Sequence, residues 1–120
     1  MATITINGNE YTLVGNLRVA YNLQGKHNHK PYMDILSGVG EMPIEKQIEL
    51  LYLAFEVGNP AVAKDISAEA FRALILDDPA FNTTRLMRLI KQVIAGILGK
   101  DLPDVGDANT TSDEASSGKN

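Results

Sequence analysis

The sequence predicts an α+β domain, mainly α, in which an N-terminal β-hairpin packs on a small bundle of about four to five helices. Three observations lead there. Residues 3–14, TITINGNEYTLV, alternate apolar and polar side chains around Asn7-Gly8. Residues 17–99 carry apolar side chains at helical spacing, punctuated by Pro and Gly. Residues 101–120, DLPDVGDANTTSDEASSGKN, hold few apolar side chains. They read as an acidic, polar, disordered tail behind a globular body of residues 1–100, because they bury too little to offset their ordering entropy.

Asn7-Gly8 suits a type I′ turn, whose two central residues both need positive φ. A two-residue loop pairs Ile6 with Asn9, Thr5 with Glu10, Ile4 with Tyr11 and Thr3 with Thr12. Period-2 geometry then puts Ile4, Ile6, Tyr11 and Leu13 on one face and the polar residues on the other. A lone ribbon is marginal in water, so its apolar face must rest on the helices that follow.

Asn16 is placed to cap a short helix with Leu17, Ala20, Tyr21 and Gln24 on one side and Gly25 just past its end. Lys26–Lys30 reads as a polar loop. Pro31 opens a second short helix carrying Tyr32, Ile35, Leu36 and Val39, closed by Gly38 and Gly40. Pro43 opens the central helix, IEKQIELLYLAFEV. There Ile44, Ile48, Leu51, Tyr52 and Phe55 fall within roughly 80° of arc. Glu45, Glu49 and Glu56 form an acidic stripe beside them. Beyond it lies a second apolar group, Leu50, Leu53 and Val57. A helix with two apolar faces is either covered on both sides by its own fold or offers one to a partner. Leu50, Leu53 and Val57 are therefore the candidate partner-binding residues.

Gly58-Asn59-Pro60 stops that helix. Ser67 caps the next, with Ile66 and Phe71 as a hydrophobic staple and Glu69 favouring the dipole. Phe71, Leu74 and Ile75 form its buried side, and Asp77-Asp78-Pro79 closes it. The last helix runs from near Asn82 to Gly99. Leu86, Leu89, Ile90, Val93, Ile94 and Ile97 share one face, widened by Met87 and Leu98, opposite Arg85, Arg88, Lys91 and Gln92.

The catalytic inventory is empty, so no enzymatic activity, cofactor or metal is expected. With no cysteine in 120 residues, disulfides, thiolate metal sites and cysteine nucleophiles are excluded. His27 and His29 supply two imidazoles where a catalytic zinc needs three protein ligands. The glutamate stripe reads as a solvated face or as salt-bridge partners rather than an acid–base pair, which needs a cleft that splits the two pKa values. Ser37-Gly38-Val39-Gly40 lacks the Lys-Ser/Thr ending and the preceding strand of a phosphate loop. The net charge is −4, and residues 101–120 account for all of it, with five carboxylates against Lys119 alone. A neutral body with an acidic tail does not attract phosphate backbones, so nucleic acid is a poor partner. No stretch reaches the about 18 apolar residues of a membrane span, and residues 1–11 lack the pattern of a signal peptide. A soluble intracellular protein is expected.

The order of segments resembles the tail assembly chaperones of long-tailed bacteriophages. An ING-x-EYTL start, an L-x-x-A-Y helix, EMPIEKQIELLYLAF, an Asn-Pro break, a short acidic helix and a final amphipathic helix carry the resemblance over roughly residues 3–98. It implies a small, mainly helical protein of the host cell cytoplasm, absent from the mature virion. Such a protein binds the tape measure protein and keeps it soluble until tail tube subunits polymerise around it. It also implies that this chain is the shorter product of a gene whose programmed frameshift yields a longer one that recruits the tail tube protein. The family offers no catalytic, metal or cofactor residue set. The alternative is a small structural virion protein, a head–tail connector or completion protein, that self-associates into a ring.

Overall fold

The computed structural model describes residues 2–100. The tail expected at 101–120 lies outside them. Strands β1 (Ala2–Ile6) and β2 (Asn9–Leu13) pair antiparallel in the register read from the sequence, from Ile6 opposite Asn9 to Ala2 opposite Leu13. Asn7 and Gly8 make the turn at φ 53° and 80°, the left-handed values that a type I′ turn requires. Ala2, Ile4, Ile6 and Leu13 are buried on the face the alternation assigned inward.

Six α-helices follow among the described residues: α1 (Leu17–Lys26), α2 (Tyr32–Ser37), α3 (Ile44–Gly58), α4 (Pro60–Ala63), α5 (Ala68–Leu76) and α6 (Thr83–Leu98). A 3-10 turn over Val39–Glu41 joins α2 to α3. The protein is mainly helical with an N-terminal two-stranded hairpin, as the sequence predicts. The expected caps at Asn16 and Ser67 hold in detail, and Asn82 supplies a third where the last helix was expected to begin. Asn16 Oδ1 accepts from Val19 N at 3.1 Å, Ser67 Oγ from Ala70 N at 3.1 Å, and Asn82 Oδ1 from Arg85 N at 3.0 Å. Each answers one of the amides that a helix start leaves unpaired. Gly99 ends α6 at φ 76°. The one-turn α4 is an addition to the five helices read from the sequence, started by Pro60 at the first helical position.

Helix α3 is the central post. It packs against β2, α1, α4, α5 and α6, and Gln47, Ile48 and every residue from Leu50 to Phe55 are buried. An aromatic chain runs through this core. Tyr11 meets Phe55 edge-on at 5.4 Å between ring centroids, Phe55 lies 5.0 Å from Phe71, and Tyr52 lies 5.2 Å from Phe71. These spacings are those at which aromatic pairs attract beyond simple area burial. The one buried polar side chain described, Gln47, donates from Nε2 to the Val39 carbonyl at 3.0 Å.

The hairpin is fastened at its open end. Val14 N donates to the Ala54 carbonyl at 3.2 Å, and Asn59 Nδ2 donates to the Thr12 carbonyl at 2.7 Å. Gly15 presses against the backbone of α6: a methyl group there would collide with the Val93 carbonyl, and one on Gly96 would stand 2.6 Å from the Gly15 carbonyl oxygen. Only glycine permits two backbones to approach so closely.

Three local expectations are corrected. In α1 the buried side is Val19, Ala20 and Leu23, whereas Leu17 and Tyr21 are 65% and 68% exposed. The helix carries two apolar stripes, and the one through Val19 and Leu23 is buried where α1 packs on α3 and α6. Gly25 does not end α1, which continues to Lys26; Asn28 and His29, at φ 57° and 59°, reverse the chain instead. Ile44, placed with the core by its angle on the helix, stands at the first turn of α3 and is 53% exposed, beyond the reach of the neighbours that cover Ile48.

Candidate functional site

Leu50, Leu53 and Val57 do not form an open seam. Leu50 is 0% exposed and Leu53 2%, while Val57 is half-buried against the core. Helix α1 lies over this side of α3, so the second apolar stripe is covered by the chain itself. The reading of these three residues as an accessible partner surface is corrected accordingly.

The polar candidates also have structural partners. His27 Nε2 lies 3.2 Å from Glu49 Oε1, and Lys46 Nζ lies 4.0 Å from the same oxygen. The middle of the glutamate stripe thus ties α1 to α3, while His29 and Glu45 are exposed. Among the described residues no group of three or more His, Cys, Asp or Glu is placed to hold a metal ion. No described helix is long and apolar enough to cross a membrane. Ser37-Gly38 closes α2, with Ser37 Oγ donating to the Asp34 carbonyl. Burial, and then the nearby Glu56 carboxylate, raises the Tyr52 phenol above its ordinary value. Its hydroxyl donates to the Ile66 carbonyl at 2.6 Å, which locks α3 to the turn preceding α5.

A wider concavity lies elsewhere. A groove of about 720 Å³ opens between the hairpin turn, α5 and the connection from α5 to α6. Thr5, Ile6, Asn7 and Gly8 form one wall. Ala70, Ala73 and Leu74 form another, and Pro79, Ala80 and Phe81 close the corner. The sequence dictates this arrangement step by step. The Ser67 cap sets where α5 begins, Phe71 and Ile75 turn into the core, and the small Ala70 and Ala73 are left on the groove side. Asp78 Oδ1 then accepts from Ala80 N at 2.9 Å, an Asx turn that swings the chain out of α5. Arg85 Nη1 donates to the Ala80 carbonyl at 2.5 Å, and its guanidinium lies 4.6 Å over the Phe81 ring. That stacking fixes the aromatic wall.

No family model, curated protein or solved structure matches the chain. The candidate site therefore rests on its own geometry. The groove falls in the size range of pockets that bind ligands or peptide segments, about 300–1,000 Å³. It is apolar along its floor, with Asp77, Asp78 and Arg85 at one end. Such a trough can seat a row of apolar side chains from a helix and orient it by the charges at its end. Sequence reasoning placed Leu74 in the core and missed the rest. The available signal was a small-residue pair three apart, Ala70 and Ala73, flanked by an aromatic just past a helix break.

Proposed function

We propose that this chain is a tail assembly chaperone of the long-tailed bacteriophage type. It holds apolar helical segments of a tape measure protein in the groove between the hairpin turn, α5 and Phe81, and so keeps that client soluble until tail tube subunits arrive. The open apolar groove carries the reading, and the order of segments over residues 3–98 supports it. The chain acts by non-covalent binding in the host cytoplasm and departs before the virion is complete. A longer product of the same gene would bring in the tail tube protein.

Co-expression with an apolar helical fragment of a tape measure protein tests this. The expected result is a soluble complex that Ala73→Arg weakens at least tenfold while the melting temperature of the free chain is kept. Arginine at 73 would fill the groove from an exposed position without entering the core. A client that stays insoluble with the chain present would overturn the proposal. So would detection of the protein in purified virions by mass spectrometry, which is the outcome expected of a ring-forming connector.

A further inference from the structure

Helix α1 presents a second surface, distinct from the groove. Leu17 and Tyr21, one turn apart, are the two most exposed large apolar side chains described, and the Arg18 guanidinium lies 5.3 Å from the Tyr21 ring centroid. Beside them a hollow of about 340 Å³ runs between α1 and α3, bounded by Tyr21, Gly25, Lys26 and His29, with Leu53 on its floor and Glu56 on the far rim. The segment that carries α1 is itself positively charged, although Glu49 and Glu56 of α3 stand beside it. From Tyr11 to Met33 the chain carries Arg18, Lys26 and Lys30 and no carboxylate at all.

The opposite composition stands at the end of the sequence. Residues 101–120 bear five carboxylates and one lysine, with Asp101, Asp104 and Asp107 spaced three apart around Leu102 and Val105. Their point of departure is fixed by α6. Lys100 N donates to the Ala95 carbonyl at 2.8 Å, and Gly96, one turn back, packs on Gly15, the residue before the cap of α1. Lys100, the last described residue, is therefore four positions from a contact with the residue that precedes the cap of α1. Seven extended residues reach about 23 Å, whereas the ten residues of α1 are about 15 Å long.

We propose that the exposed face of α1 is the docking surface for the chain's own residues 101–120. Leu102 and Val105 cover Leu17 and Tyr21, and the aspartates face Arg18, Lys26 and Lys30. The site matches its occupant in charge, in apolar content and in reach. Its effect is to shield the most exposed apolar surface of the body with a segment that salt or a competing acidic partner can displace. The inference does not depend on the proposed client or on the groove.

The full chain can test it directly, because it has no cysteine and a single Ala108→Cys accepts one nitroxide label uniquely. Paramagnetic broadening of amide signals should remove most of the intensity of Arg18, Tyr21 and Lys26 while sparing Ala70 and Ala73. Combining the label with Asp101→Asn, Asp104→Asn and Asp107→Asn should restore the α1 signals, as should about 1 M salt, where the screening length falls to about 3 Å. Broadening spread evenly over the body would overturn the proposal. Broadening of α1 that persists when labelled chains are mixed with separate, isotope-enriched unlabelled ones would assign the face to a second copy instead, and would overturn it equally.

Discussion

Two glycines offer a matched test of the packing at the heart of this fold. Gly15 precedes α1 and Gly25 lies in its last turn, ten positions on, yet a methyl group meets opposite surroundings at each. At Gly15 it would collide with the Val93 carbonyl, and at Gly25 it would meet no atom within 4 Å. Both Gly→Ala changes lower the entropy of the unfolded chain by the same amount, so that contribution cancels in the comparison. Gly25→Ala should stabilise by about 0.5–1 kcal/mol, the gain from replacing glycine inside a helix. Gly15→Ala must force the loop off α6 and should cost about 1–3 kcal/mol, as overpacking of a filled interior does. The two variants should therefore differ by about 1.5–4 kcal/mol, or roughly 6–32 °C in melting temperature for a domain of this size. Urea titration followed by circular dichroism at 222 nm measures the gap, with an unchanged m-value as the check that both still unfold in two states. A Gly15→Ala protein as stable as the Gly25→Ala protein would refute the close approach of the two backbones.

Further outcomes follow from other contacts. Leu53→Asp places an unpartnered charge under α1 and should cost roughly 4 kcal/mol or more, enough to leave little folded protein; a cooperative melt near that of the parent chain would show that Leu53 reaches solvent. Asn82→Ala removes the acceptor for Arg85 N and should lower stability by about 1 kcal/mol, read from the denaturant midpoint. Burial and Glu56 hold the Tyr52 phenol above its ordinary value of 10.0, so the unfolded chain releases this proton before the folded one. Stability should be intact below pH 10 and fall as pH climbs through the folded value, and Tyr52→Phe should flatten that decline in denaturation curves taken between pH 9 and pH 11.

Local chemistry made much of this fold readable. Asn7-Gly8 and the alternation around it specify the hairpin to the residue, because turn geometry and side-chain period each fix the same register. Asn16, Ser67 and Asn82 mark helix starts because their side chains answer amides within three residues. The wide apolar face of α6 admits one orientation only. What escaped prediction depends on partners distant in the chain. Helix α1 has two stripes that could be buried, and its packing on α3 and α6, far along the chain, chooses between them. The second apolar face of α3 could be covered or offered, and nothing within α3 says that α1 lies over Leu53. The groove is still less legible, since its walls come from residues 5–8 and 70–85 and exist only once the hairpin and α5 are side by side.

The fastening of the hairpin to α6 has a consequence for the order of events during synthesis. Gly15 is made long before the Gly96 on which it rests, and at about 5–20 residues per second the intervening stretch of about 80 residues takes roughly 4–16 s to translate. Throughout that wait Ile4, Ile6 and Leu13 have no complete bed to lie on. The nascent chain can assemble its middle early, but it closes only when its last described helix arrives, so the ribosome and whatever attends it must guard a greasy ribbon for seconds.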